Sequence, residues 1–174
     1  DVQGWVETAG WLNDRQQAGK ICKVSATNFD TDHIGAITAS GVSLTSLQLQ
    51  YSLLDRRPEQ RMVKLAAGND FSLFCYGTVA GGFLGDRWLG QPAPQHPLEN
   101  RSLTKYKLII DDFGGWELFQ ALLSTLRKIA DRHHVDIATI ASAAMLTKRG
   151  VAAVIVGARN RDHLPSNLAI ANVK

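Results

Sequence analysis

Long hydrophobic runs are missing from this 174-residue chain. No apolar stretch reaches the roughly 18 residues that cross a bilayer, so no segment reads as a membrane span. The first residues, Asp1-Val2-Gln3-Gly4-Trp5, carry neither the basic start nor the apolar stretch of a secretory signal. They also lack an initiator Met, so the expectation is a fragment, a processed chain or an incomplete gene model. Cysteine is scarce, with only Cys22 and Cys75. Both sit in apolar strand-like runs, which predicts reduced, buried thiols and a cytoplasmic setting rather than a disulfide framework. No Cys or His pair has metal-ligand spacing, and His133-His134 reads as the cationic end of a helix. Excess charge is also small, at +3. Basic residues are scattered apart from Arg56-Arg57 and Lys148-Arg149. No basic stripe interleaves with aromatics, so no nucleic-acid partner is expected.

What is present fits one globular domain with a real core: 45% hydrophobic and 20% charged residues. Helical and strand patterns alternate. Val6 to Gln17 predicts a helix that Gly19 ends. Ile21 to Ala26 predicts a short strand, followed by a turn at Asn28-Phe29-Asp30. Asp30 caps a helix over Thr31 to Ala39, and Gly41 stops it. Ser46 to Gln50 is the second strand. Pro58 opens a helix to Ala67, and Phe71 to Cys75 is the third strand. The stretch 80–115 is the least regular, with Gly81-Gly82, Gly85, Gly90, Pro92, Pro94, Pro97 and Gly114-Gly115. A stretch that long is usually functional or disordered; the alternative is a solvated excursion with one or two short helices.

Two helices follow. Trp116 to Arg132 places Leu118, Leu122, Leu126 and Ile129 on one face. Asp136 caps the next, which runs to about Lys148. Ala153 to Val156 is an apolar run of the kind expected for a strand buried on both faces. Gly157 to Asn160 forms a turn, and a last helix covers Asp162 to Ala171. Four βα units with parallel strands result, and no linker divides them. They fit a small open sheet or four staves of an eight-stranded barrel, and periodicity alone does not choose.

Four blocks carry a resemblance. Gly19-Lys20-Ile21 with Ala26-Thr27-Asn28-Phe29-Asp30 is the first, and Gln48 to Glu59 is the second. Tyr76-Gly77-Thr78-Val79-Ala80-Gly81-Gly82-Phe83-Leu84 is the third. Val154 to Asn160, with His163-Leu164 and Asn167-Leu168, is the fourth. In this order and spacing they resemble strands five to eight of the aldo-keto reductases, and Tyr51 to Glu59 is the most specific tract. The resemblance implies an α/β fold of the (β/α)8 TIM-barrel family. Here it is about half a barrel of four parallel βα units, a single partial domain over 1–174 with a substrate-loop region at 80–115. Sites in such barrels lie in the loops after the strands.

The family implies a role for each matching residue. Asn28 and Gln48 would hold the nicotinamide carboxamide, since an amide donates and accepts together. Tyr76 would stack on the ring. Gly77 and Val79 would lie along the pyrophosphate. Gly157, Ala158, Arg159 and Asn160 would meet the adenosine phosphate at the start of the last helix, with His163 beside it. Asn167 would read the adenine. Taken without the family, Asn28 is an ordinary turn residue, Gln48 a polar strand end, and Tyr76 a core residue.

The implied activity is hydride transfer between NADP(H) and a small carbonyl compound. The family's catalytic Tyr, Asp, Lys and His lie on strands one to four, outside the matched blocks, so no catalytic residue and no activity of the chain alone are expected. A hydrophobic aldehyde or ketone suits Phe83, Trp88 and Leu89. Some positions depart from the family: His163 for Arg or Gln, Ser166 for Glu, Ser25 for Gly, and Ala143-Ala144 for Arg-Trp. The competing expectation is a non-catalytic half-barrel that forms a homodimer or pairs with a separate N-terminal half, because outer strands left open expose unpaired backbone.

Overall fold

The computed structural model describes residues 4–95, 97–158 and 161–173. Eleven regular elements lie among them. In chain order they are α1 (Trp5–Gln17), β1 (Ser25–Thr27), α2 (Thr31–Ala39), β2 (Ser46–Gln50), α3 (Met62–Gly68) and β3 (Ser72–Tyr76), then α4 (Arg101–Phe113), α5 (Gly115–His133), α6 (Ile137–Leu146), β4 (Val151–Val154) and α7 (Leu164–Ala169). The four strands run parallel in the order β1-β2-β3-β4. Sequential parallel neighbours need crossovers, and a helix fills the gap after each strand. The α/β class with four parallel βα units is therefore as expected.

The chain falls into two compact units. The first holds Asp1–Leu49, Arg57–Phe74 and Arg149–Ala153. Its core contains Ile34, Leu47, Ala66 and Leu73, none with measurable exposure. The β1–β2 register pairs Ser25 with Ser46, Ala26 with Leu47 and Thr27 with Gln48. Ser25 finds a use in this register. Its hydroxyl hydrogen-bonds that of the buried Ser46 at 2.9 Å. Asp30 caps α2 by accepting from the His33 N–H at 2.9 Å.

The second unit holds Gln50–Arg56, Cys75–Lys148 and Val154–Lys174. Its core joins Phe83, Leu84, Ile110, Phe119, Leu123, Ala130, Ile137 and Ala141, all fully buried. Each of the larger side chains there contributes roughly 1.5–3 kcal/mol by leaving water. Asn100 caps α4 by accepting from the Leu103 N–H at 3.0 Å, and Asp136 caps α6 by accepting from Thr139 at 2.6 Å. Asp86 ties three segments together. One carboxylate oxygen accepts from Arg127, and the other accepts the Ile137 N–H at 2.9 Å.

Several expectations need correction. Cys22 is exposed, because the first strand is only three residues long and starts after it; Cys75 is buried. The stretch 80–115 is not wholly irregular. Short 3-10 turns at Ala80–Gly82 and Asp86–Trp88 precede the 13-residue α4. The buried stripe of α5 is Phe119, Leu123, Leu126 and Ala130, while Leu118 is exposed. The stripe is rotated by about one residue, roughly 100°, from the leucine row. Pro58 opens only a 3-10 turn, Arg57–Glu59, and α3 starts at Met62. β4 ends two residues earlier than expected, and Ile155 and Val156 beyond it are exposed rather than buried. Among the described residues, no helix is long and apolar enough to cross a membrane.

Candidate functional site

Gly77, directly after β3, has φ +70, and Ala80, Gly81 and Gly82 also have positive φ. Repeated left-handed backbone lets a turn point N–H groups to one side, a geometry that suits anions. The strict need for glycine is clearest at two positions. A Cβ on Gly77 would lie 2.5 Å from the Tyr106 hydroxyl, and one on Gly81 would lie 2.7 Å from the Tyr106 ring. The turn thus closes around a ring that α4 delivers.

This turn forms one wall of a cleft of about 690 Å³ in the second unit. The facing lining comes from α6 and its capping residue (Asp136, Thr139, Ser142), from the segment after β4 (Ile155, Val156, Gly157) and from α7 with its preceding turn (His163, Ser166, Asn167). Two hydroxyls line it deeply. Thr78 and Ser142 are each about 2% exposed or less and lie 2.9 Å apart. One O–H donates to the other, which leaves the second proton for another acceptor. Thr139 donates to the Ser166 carbonyl at 3.2 Å, and Ser166 donates to Asp136 at 2.5 Å. Burial pushes the Asp136 carboxyl up, but the bonds from Ser166 and Thr139, with Arg127 nearby, outweigh it and hold the group below the usual carboxylate range. Burial pushes the Tyr106 hydroxyl upward, and Tyr76 and Asp55 add to that. Burial alone pushes Cys75 to about 12, so this thiol stays protonated.

The cleft gathers Gly77, Val79, Gly157, His163 and Asn167, residues from two separate sequence blocks. Asn167 donates to the Gly157 carbonyl at 3.1 Å and so holds α7 to the strand end. Tyr76 and Ala158 belong to the same unit but are not part of the lining. Asn28 and Gln48 belong to the first unit, where the Asn28 N–H donates to the Gln48 carbonyl at 2.9 Å. Arg159 and Asn160 lie outside the described residues. The dipole argument for the last helix weakens, because α7 has six residues and Pro165 removes one of its first N–H groups.

Sequence reasoning missed Tyr106, Thr78, Thr139, Ser142 and Asp136 as lining residues. For Tyr106 a signal existed: Leu103, Tyr106 and Ile110 recur at helical spacing behind the capping Asn100. A dinucleotide needs N–H and O–H donors for its phosphates and a surface without Cβ atoms for close approach. The glycine turn and the hydroxyl pair supply both, so the lining fits such a group.

Comparison with known proteins gives the family and the fold. Over 125 residues the chain is 30% identical to flagellar radial spoke protein 5 of Chlamydomonas reinhardtii, spanning 70% of the chain and 24% of that protein. Over 167 residues it is 26% identical to the NADH-specific methylglyoxal reductase of Escherichia coli K12, spanning 96% of the chain and 49% of that enzyme. The fold matches a thermostable aldo-keto reductase solved with the inhibitor epalrestat, with TM-score 0.65 and 22% identity over 97% of the chain and 50% of that structure. The chain thus spans about half the length of the reductases it matches, and less of the spoke protein. The aldo/keto reductase family model matches residues 4–174, and the chain belongs to that family.

Proposed function

We propose that this chain is the cofactor-carrying C-terminal half of a nicotinamide-dependent aldo-keto reductase barrel. The carrying observation is the cleft that joins the Gly77–Val79 turn to Gly157, His163 and Asn167. In this reading the turn receives the pyrophosphate, with His163 and Asn167 at the adenosine end and Gly157, Ala158, Arg159 and Asn160 beside its phosphate. Tyr76 supports the nicotinamide ring, and Asn28 and Gln48 hold its carboxamide. When bound, the cofactor supplies a hydride for a small carbonyl compound. The resemblance favours NADP(H), whereas the Escherichia coli relative is NADH-specific by name, so both forms are compared in every test.

Proton delivery to the carbonyl oxygen needs an acid within hydrogen-bond reach. The resemblance assigns that acid to strands one to four, so the chain alone binds cofactor without turnover and needs a partner half. In this reading the region 80–115 borders the substrate, and Phe83, Trp88 and Leu89 favour a hydrophobic carbonyl compound. Exposed apolar residues favour a covering partner: Ile155, Val156, Leu164 and Leu168 all stand at 37% or more. A separate N-terminal half or a second copy would cover them.

Hydrogen–deuterium exchange with and without NADPH or NADH tests the reading. Protection is expected in peptides covering 77–85, 155–158 and 163–170. Unchanged exchange in all three, at saturating cofactor, would contradict it.

A further inference from the structure

Tyr106 has no role in the family pattern, yet it is a tightly held polar side chain of the cleft. It is only 6% exposed and lines the cleft wall. Its ring is gripped by two glycines at positive φ, Gly77 and Gly81, each of which would collide with it if it carried a Cβ. Among the described residues the buried polar side-chain atom without a partner is the Trp88 indole nitrogen, so the Tyr106 hydroxyl is not an orphan sealed from the cleft. A hydroxyl on a fixed ring at a cleft wall can donate to an acceptor of a ligand bound there. The hydroxyl lies 2.5 Å from the position a Gly77 Cβ would take, beside the backbone that the cofactor reading assigns to the pyrophosphate.

We infer that Tyr106 is a cofactor-contacting residue whose hydroxyl donates a hydrogen bond to a pyrophosphate oxygen of the bound dinucleotide. This rests on the cofactor reading above. One feature favours an anionic oxygen over a neutral one. The Lys105 ammonium lies 4.4 Å from the centre of the Tyr106 ring and 5.9 Å from that of Tyr76, adding positive potential at this wall. A phenol is protonated near neutrality and burial shifts it further the same way, so the hydroxyl can donate there. In this account α4, from the stretch between β3 and α5, brings a phosphate contact that strand-end residues do not supply.

Tyr106→Phe keeps the ring and removes only the donor. Calorimetric titration of the 174-residue chain with NADPH, NADH and ADP-ribose reads the effect. A lost bond to a charged acceptor predicts roughly ten-fold weaker binding of each ligand, with the unliganded thermal midpoint unchanged. The ³¹P pyrophosphate resonances of the bound cofactor should also differ between wild type and Y106F, which a purely structural ring would not cause. Wild-type binding with Y106F affinity within two-fold and identical ³¹P shifts overturns this inference alone. A wild-type chain that binds none of the three ligands overturns the cofactor reading as well.

Discussion

The backbone N–H of Asn28 donates to the carbonyl of Gln48 at 2.9 Å, and Asn28 holds φ at 61° to do so. This bond is part of the parallel pairing of Thr27 with Gln48. The two residues assigned to one carboxamide are thus tied by backbone, Asn28 directly after β1 and Gln48 in the middle of β2 rather than at its end as expected.

That relationship separates a conformational role for Asn28 from a chemical one. Left-handed backbone is easy for Gly, tolerable for Asn and costly for Ala. Asn28→Ala is expected to lower stability by about 1 kcal/mol, while Asn28→Gly stays close to wild type in urea unfolding. Both variants should weaken NADPH and NADH binding alike, since both lose the side-chain amide. Full affinity in Asn28→Gly would reduce Asn28 to a turn residue.

Asp86 gathers Arg127 and the first N–H of α6. Asp86→Ala leaves the guanidinium without this partner and the Ile137 N–H without an acceptor, an expected loss of about 1–3 kcal/mol. Part of the Arg127 pairing survives through Asp131 at 2.9 Å. A melting temperature unchanged from wild type would show that the three segments are held by packing alone.

Acid sensitivity should trace to Asp136. Its carboxyl titrates below the ordinary value of 3.8 in the folded chain. A depressed folded value contributes stability that is present above the unfolded value and is lost as pH falls through the folded one. Ser166→Ala removes one of the bonds that keep it low. The acid limb of the unfolding curve should then move to higher pH, with little change at neutrality beyond the lost hydrogen bond. In an Asp136→Asn background the same Ser166 change should leave the acid limb where it is.

Gly77 and Tyr106 should be coupled. Gly77→Ala meets both an unfavourable φ and the Tyr106 hydroxyl at 2.5 Å, so a loss of about 1–3 kcal/mol is expected. In a Tyr106→Phe background the clash with the hydroxyl is gone while the cost of φ remains, so the penalty shrinks. Equal penalties in both backgrounds would place the Tyr106 hydroxyl elsewhere.

Local signals carried much of the fold. Asp30 and Asp136 marked their helices because a carboxylate acceptor satisfies N–H groups that the helix leaves open. The second strand was readable to the residue. Long-range packing was not. Leucine spacing suggested a face for α5, but contact with α4 and α6 chose Phe119 and Leu123 instead of Leu118. Cys22 and the end of β4 misled for a related reason, since an apolar run does not reveal whether a neighbour covers it. Of the motif residues, Gly77, Val79, Gly157, His163 and Asn167 meet at the cleft, since chain order puts them after β3 and β4. Tyr106, Ser142 and Thr139 were not legible, because helices bring them to the cleft from distant sequence.

Affinity of the chain for its cofactor tests the central claim most directly. Isothermal titration of the purified protein with NADPH and, separately, NADH should give saturable heat at one site per chain for at least one of them, with no turnover of a simple aldehyde. No saturable heat with either dinucleotide at millimolar concentration would contradict the claim that this chain carries the cofactor cleft of an aldo-keto reductase.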